Sequence, residues 1–245
     1  MIAMNRTIHQ LLIPPEKKRL ADDIASQITN FIFSNQIKEG QKLPSERELT
    51  DRLKVSRVVI REALKSLEQA GLVEIRPGQK GGAFVVHKLY KPFFHSIHDL
   101  FNEKKLTLQH FFETRKAIEC FSIQLAAKNV TQEDIDKLRA INKRSLEDIE
   151  DNEKFRSHNE TFHVAIAEMT GNPLIKLIVE SLLKLLNTLY AQSSQSPEFI
   201  KNTYQRHEGI IKALKERKIK LCEKLMAIDA EYTKGDKQLI QTQGR

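Results

Sequence analysis

No apolar run in this chain approaches the roughly eighteen residues that a membrane-spanning helix needs. Cysteine is scarce. Only Cys120 and Cys222 occur, too few for a disulfide framework, and both fall in helical patterns as expected of free thiols in a reducing compartment. The first residues, MIAMNRTIHQLLIPPEKKRL, hold a short apolar patch but no signal-peptide core or cleavage site, so the expectation is a cytoplasmic protein. No internal repeat stands out. What is present is a 245-residue chain with 40% hydrophobic and 29% charged residues, the balance of one large or two ordinary globular domains. Its formal net charge is +8, and the first 90 residues carry 15 Lys and Arg against 10 Asp and Glu. An excess of positive charge suits a polyanionic partner without specifying one.

The two halves follow different patterns. Residues 17–86 read as three helices and two short strands. Leu20, Ile24, Ile28, Phe31 and Ile32 mark one stripe of the first helix, from Lys17 to Phe33. Ser45 and Glu48 form a capping box opening a second short helix. Ser56 caps a third helix that reaches Gln69, and Gly71 terminates it. Leu72–Arg76 and Ala83–Val86 read as strands around a Pro77-to-Gly82 turn. After Tyr90–Pro92 strand signals vanish. Helices are expected at Phe93–Phe101, Leu108–Lys128, Thr131–Ile149, Glu153–Met169, Pro173–Gln192, Ser196–Arg217 and Ile219–Lys234. The expected class is therefore mainly α: an N-terminal winged helix-turn-helix and a C-terminal antiparallel bundle of six or seven helices. The expected boundaries are an arm (1–16), the winged unit (17–88), a linker (89–92), the helical effector-binding and dimerisation domain (93–235) and a tail (236–245).

Two short helices joined by a tight turn and followed by a hairpin can read DNA, with the third helix in the major groove. Arg57 and Arg61 lie four apart, hence on one face, and arginine bonds bidentately to guanine or grips phosphate. Arg47 sits in the first turn of the preceding helix. Ser45 and Ser56 stand at helix starts, where donors suit phosphate oxygens. Lys80 and Gly81 form a cationic tip whose backbone can approach a minor groove closely. Val58 and Val59 both read as exposed positions that either touch thymine methyls or pack. Leu49, Leu53, Val55, Ile60, Leu64 and Leu67 read as core.

These residues carry a family resemblance. Gly40-x-x-Leu43-Pro44-Ser45-Glu46-Arg47-Glu48-Leu49, Val55-Ser56-Arg57-x-x-x-Arg61-Glu62-Ala63-Leu64 and Leu67-Glu68-x-x-Gly71-Leu72-Val73 closely resemble the winged-helix domain of the GntR family of bacterial regulators. The resemblance implies double-stranded DNA binding as a homodimer on an inverted repeat, probing DNA with Arg47, Arg57 and Arg61, usually as a repressor.

The C-terminal half resembles the all-helical effector (FCD) domain of the FadR-like branch. The match runs through Phe112-Glu113-x-Arg115-x-x-Ile118-Glu119, Leu125-Ala126-Ala127, Phe162-His163-x-x-Ile166-Ala167, Gly171-Asn172-Pro173-Leu174 and His207-x-x-Ile210. Many members of that branch hold a divalent metal with an Asp and three histidines. Here the matching positions are Asn159, His163, His207 and Asp229, so an amide replaces the Asp and a carboxylate replaces the last His. Two imidazoles and a carboxylate suit Zn, Ni, Mn or Fe(II). A polar network without metal fits the same residues. His158 and Glu160 read as surface. Arg115 matches an effector-cavity position, where its fork suits the carboxylate of an organic acid. A structural pair with Glu119 is the alternative.

Two other readings compete: a metal hydrolase or isomerase centred on His163, His207 and Asp229, and an architectural DNA protein without ligand. Against the first, no general base or nucleophile stands beyond the metal-type residues, and the expectation is that the chain is not an enzyme.

Overall fold

A computed structural model describes residues 18–191 and 193–234. The arm, Lys17, Gln192 and the tail lie outside the described residues. The chain divides into two compact units, residues 1–92 and 93–245.

In the first unit, α1 (Lys18–Phe33), α2 (Glu46–Leu53) and α3 (Arg57–Gln69) precede β1 (Val73–Arg76) and β2 (Gly82–Val85). The helix boundaries follow local chemistry. Ser45 and Glu48 form the complete capping box of α2, and Ser56 accepts from Val59 N to cap α3. Lys54 takes a left-handed conformation (φ 55°), so only Lys54, Val55 and Ser56 separate the two helices. Gly71 (φ +72°) closes α3, and a Cβ there would lie 2.0 Å from the Lys88 carbonyl oxygen, so no larger residue fits. β1 and β2 pair antiparallel from Val73 opposite Val85 to Arg76 opposite Gly82. Residues 40–43 add a third lane beside β2 through Gly40, Gln41 and Leu43.

The core of this unit joins Ile24, Ile28 and Ile32 of α1 to Ile60, Leu64 and Leu67 of α3, and to Val73 and Val85 of the hairpin. Three expectations are corrected. The buried stripe of α1 runs through Ala21, Ile24, Ala25, Ile28 and Ile32, whereas Leu20 and Phe31 are exposed, one position off the 3.6-residue seam. Leu53 and Val55 flank the core half-buried. Val59 is buried at 5% exposure, while its neighbour Val58 is 62% exposed.

The second unit holds α4 (Tyr90–Asn102), α5 (Leu108–Asn129), α6 (Gln132–Glu147), α7 (Asn152–Met169), α8 (Pro173–Leu189), α9 (Pro197–Lys215) and α10 (Ile219–Lys234). Tyr90–Pro92, read above as linker, form the first turn of α4. Proline is tolerated there because first-turn N–H groups have no intrahelical partner. Caps again set the boundaries: Thr131 with Asp134 before α6, Asp151 before α7, Asn172 with Pro173 at α8, Ser196 with Pro197 at α9.

Helix α5 touches α7, α8, α9 and α10. Its two ends enter different apolar clusters, Phe111 and Phe112 in one, Ile123, Ala126 and Ala127 in the other. Between them the same helix buries Arg115, Glu119 and Ser122. A helix surrounded this way places a polar stretch in the middle of the bundle, and that stretch positions the site. Among the described residues no helix is long and apolar enough to cross a membrane.

Candidate functional site

The winged unit exposes Arg47, Arg57, Arg61 and Lys80. Arg57 has no ion-pair partner among the described residues. Arg61 Nε donates to Glu46 Oε2 at 2.9 Å, linking α3 back to the start of α2. Arg47 lies 3.9 Å from Asp51, an exposed i,i+4 pair worth at most about 0.5 kcal/mol, so it is easily surrendered to another anion. The Ser45 hydroxyl donates to Glu48 Oε2 at 2.7 Å and accepts from Glu48 N at 3.2 Å. Its hydroxyl is therefore committed to the cap, and a phosphate there would have to displace Glu48. At the tip Gly81 N donates to Gly78 O, and a Cβ at Gly81 would fall 2.2 Å from Arg76 O. Two wing cations escaped sequence reading: Lys42 and Arg76 both lie over the Phe84 ring, at 5.7 and 4.4 Å. Their pairing appears only once β2 and the 40–43 lane are side by side.

The helical unit brings His163 (α7), His207 (α9) and Asp229 (α10) together. One ligand atom from each lies within 4.8 Å of the others, and all three residues are buried. His163 Nε2 stands 3.4 Å from Asp229 Oδ2, and His207 Nε2 stands 3.8 Å from Asp229 Oδ1. The Phe162 ring stacks on His207 at 3.8 Å and 3°, fixing its plane. On the other side His163 Nδ1 lies 3.1 Å from Glu119 Oε2, and Glu119 takes Arg115 Nε at 2.9 Å and Arg115 Nη2 at 3.4 Å. Both alternatives for Arg115 therefore bear on it: Glu119 is its partner, yet Arg115 Nη1 is buried with no hydrogen bond.

All four imidazole nitrogens of His163 and His207 are also buried without an aligned hydrogen bond. The carboxylates beside His163 are at ion-pair distance without an aligned hydrogen bond, and the carboxylate oxygen nearest His207 Nε2, at 3.8 Å, is beyond hydrogen-bond reach. Burial opposes charge throughout this cluster, and the outcomes differ by neighbour. Burial lowers His207 despite Asp229. It opposes charge on His163 too, but Glu119 and Asp229 prevail and raise it to about 9. Glu119 is brought down to about 2, burial being outweighed by Arg115 and His163. Asp229 is held well below the usual carboxylate range, its burial outweighed by the two imidazoles.

The donor set fits a divalent cation. The imidazoles of His163 and His207 and the Asp229 carboxylate face one another, and Glu119 stands behind His163 as the carboxylate that commonly orients a ligating histidine. Arg206 was missed by sequence reading. Its Nε donates to Asp229 Oδ1 at 2.8 Å and its Nη2 to Thr203 Oγ1 at 2.8 Å. No periodicity separates it from other surface arginines of an amphipathic helix. Asn159, half-buried one turn before His163, lines a cavity of about 20 Å³ with Arg156, Asn187, Tyr190, Gln195 and Thr203, roughly room for one water. His158 and Glu160 are not simple surface residues. His158 Nε2 lies 2.9 Å from Asp148 Oδ2, and Glu160 accepts from Asn187 and pairs with Lys184 at 2.6 Å.

Comparison with known proteins identifies both units. Residues 20–85 match the family described as bacterial regulatory proteins, gntR family, and residues 110–229 match the FCD domain. The chain is 30% identical over 220 residues to the HTH-type transcriptional repressor NanR of Citrobacter rodentium, covering 83% of this chain and 80% of that protein. It is 29% identical over 203 residues to the uncharacterized HTH-type transcriptional regulator YcbG of Bacillus subtilis, covering 82% of each. Among solved structures, Streptococcus agalactiae GntR superposes with a TM-score of 0.58 at 23% identity, over 86% of this chain and 97% of that one. E. coli McbR/YncC does so at 0.52 and 19%, over 95% and 100%. At these identities the structural likeness concerns the fold alone.

Proposed function

Because this chain belongs to the GntR family of bacterial DNA-binding transcriptional regulators, with an FCD domain behind its winged helix, we propose that it is a repressor controlled by a small organic acid. The acid binds in the C-terminal bundle through a divalent cation held by His163, His207 and Asp229, with Asn159 and Arg115 completing the site. The operator is read by a homodimer through Arg47, Arg57, Arg61 and the Lys80-Gly81 tip, with phosphates at the Ser45 and Ser56 helix starts.

The observation that carries this reading is a buried set of polar atoms without a hydrogen bond among the described residues: both ring nitrogens of His207 and Arg115 Nη1, with the two nitrogens of His163 held only by ion pairs to Glu119 and Asp229. Buried polar groups are nearly always satisfied, so a cluster of exceptions asks for a ligand. The charge balance gives its sign. In the ion pairs seen among the described residues, Arg115, Arg206 and protonated His163 stand against Glu119 and Asp229, one positive charge in excess. A bound cation would expel the His163 proton and leave the excess at two. A carboxylate offsets either, while Arg115 offers it a fixed donor. The cation, when bound, supplies a Lewis-acidic point on which an acid's oxygens converge. The chain's own part is to desolvate the acid, orient it from Arg115 and Asn159, and alter the freedom of the winged units. A coupling of about 1–3 kcal/mol suffices for regulation.

One observation favours a second reading. His163 has a carboxylate beside each ring nitrogen, Glu119 at 3.1 Å and Asp229 at 3.4 Å, the arrangement that favours a protonated ring, which cannot ligate. Without a cation the acid would sit directly against His163, Arg115 and Arg206. Elemental analysis and native mass spectrometry of the purified full chain separate the two. Stoichiometric divalent metal lost in His163→Ala and His207→Ala supports the first. No metal after reconstitution, with operator binding still shifted by a carboxylic acid, leaves the second. If no acid changes operator affinity, the effector reading fails.

A further inference from the structure

The first turn of α3 presents Arg57 and Val58 side by side, and only one of the two consecutive valines there belongs to the core. Val59 is buried at 5% exposure, whereas Val58 is 62% exposed. Val58 lies three residues before Arg61, hence beside it on the helix surface, and Arg61 is held from behind by Glu46. We infer that Val58 reads the C5-methyl of a thymine in the major groove, making it a specificity-determining residue beside Arg57 and Arg61. The inference rests on the reading of α3 as the helix that enters the groove.

Three physical points carry it. First, nothing in the free protein gains from this valine. An exposed β-branched residue has lower helix propensity than Lys, Glu or Ala, and Val58 leaves 62% of its surface in water where it stands. A partner that covers it would supply the benefit that the free helix lacks. Second, N-terminal residues of a recognition helix are the ones that meet base edges. In the major groove the base edges present hydrogen-bond donors and acceptors, and the one apolar group larger than a hydrogen atom is the thymine methyl. A valine there satisfies no donor or acceptor, so it selects for the methyl and against polar edges it would desolvate. Third, valine in a helix holds one χ1 rotamer, so its two methyls are presented without an entropic cost on binding. Arg57 and Arg61 supply charge and guanine recognition, and Val58 supplies the apolar contact that positions a thymine beside them.

The test uses the full-length protein and a duplex enriched by repeated selection from a random-sequence pool. Each thymine of that duplex is replaced singly by deoxyuridine, which removes only the methyl, and affinity is read by fluorescence anisotropy. We expect one thymine per half-site at which the change weakens binding about fourfold, the worth of one buried methyl. In Val58→Ala that sensitivity disappears, with deoxyuridine and thymidine bound equally, while the melting temperature and salt dependence stay unchanged. Val58→Thr, which keeps the branched shape, retains part of it. Specific binding with no deoxyuridine-sensitive thymine, or with sensitivity identical in Val58→Ala, overturns the inference and leaves DNA binding standing. Failure to enrich any duplex overturns both.

Discussion

Arg206 donates from Nε to Oδ1 of Asp229 at 2.8 Å, so the carboxylate assigned to the cation already has a cationic partner. The guanidinium and a divalent ion would act on the same oxygen atoms. Arg206→Gln should destabilise the metal-free protein by about 1–3 kcal/mol, the cost of weakening a hydrogen bond to a buried charge. Adding Zn or Ni should recover most of that loss, because the ion takes over the guanidinium's role. Melting curves with and without metal check this, and an equal loss in both conditions would count against the cation.

Arg115 and Glu119 form a fully buried i,i+4 pair. Removing Arg115 leaves Glu119 with His163 as its one remaining cationic neighbour among the described residues. Arg115→Ala should therefore cost up to about 3–5 kcal/mol in urea denaturation, the upper end applying where His163 is neutral. A loss under about 1 kcal/mol would mean that water or another cation reaches Glu119.

The cluster sets a pH window for stability. Glu119 has a folded value of about 2, below the unfolded range near about 4.3, so its contribution is complete above the unfolded value and is lost as pH falls toward 2. His163 is raised to about 9 from an unfolded value near about 6.5, so its contribution is complete below the unfolded value and is lost as pH rises through 9. His207, lowered by burial, adds a contribution that is complete above its unfolded value of about 6.5 and falls away below it. Metal-free protein should therefore show its highest urea midpoint at about pH 6.5 and lower midpoints at pH 3 and pH 9.5. Metal affinity should run the other way at the alkaline end, rising with pH as the His163 proton is released. A metal affinity independent of pH between 6 and 9 would contradict this.

Burial pushes both thiols, Cys120 and Cys222, up to about 11. Neither should be alkylated readily by iodoacetamide at pH 7.5 in the native state, and both should react in urea. Cys120 lines the groove between α5 and α10, so its rapid labelling in native protein would report opening of that groove.

On the DNA side, Arg57→Ala should cost about 1–3 kcal/mol at a selected operator, and Lys80→Ala should weaken all sequences alike while lowering the salt slope by about one. Titrations at several salt concentrations check both. Unchanged affinity in Arg57→Ala would remove α3 from the groove.

Much of this was legible from residues alone wherever the cause is local. The Ser45/Glu48 and Thr131/Asp134 boxes, the Ser56 cap and the Asn172-Pro173 start depend on hydrogen bonds within four residues, and they appear where the sequence places them. Periodicity was a coarser guide. It assigned Leu20 and Phe31 to the α1 seam and left Val58 and Val59 equivalent, because a helix's rotation about its axis is set by what it packs on. His163, His207 and Asp229 were visible only through family resemblance, and nothing in their spacing requires that they meet.

The sequence by itself determined the two-part architecture, the helix boundaries and the cations of the recognition helix, since capping, turn chemistry and amphipathic period act along the chain. Tertiary structure decided which valine is exposed, that Glu119 stands between Arg115 and His163, and that Arg206 reaches Asp229. The last two relationships join α5 to α7 and α9 to α10 across separations that no local rule spans. They exist because packing buries all these charges in one low-dielectric volume, where each must be answered by a neighbour or a ligand.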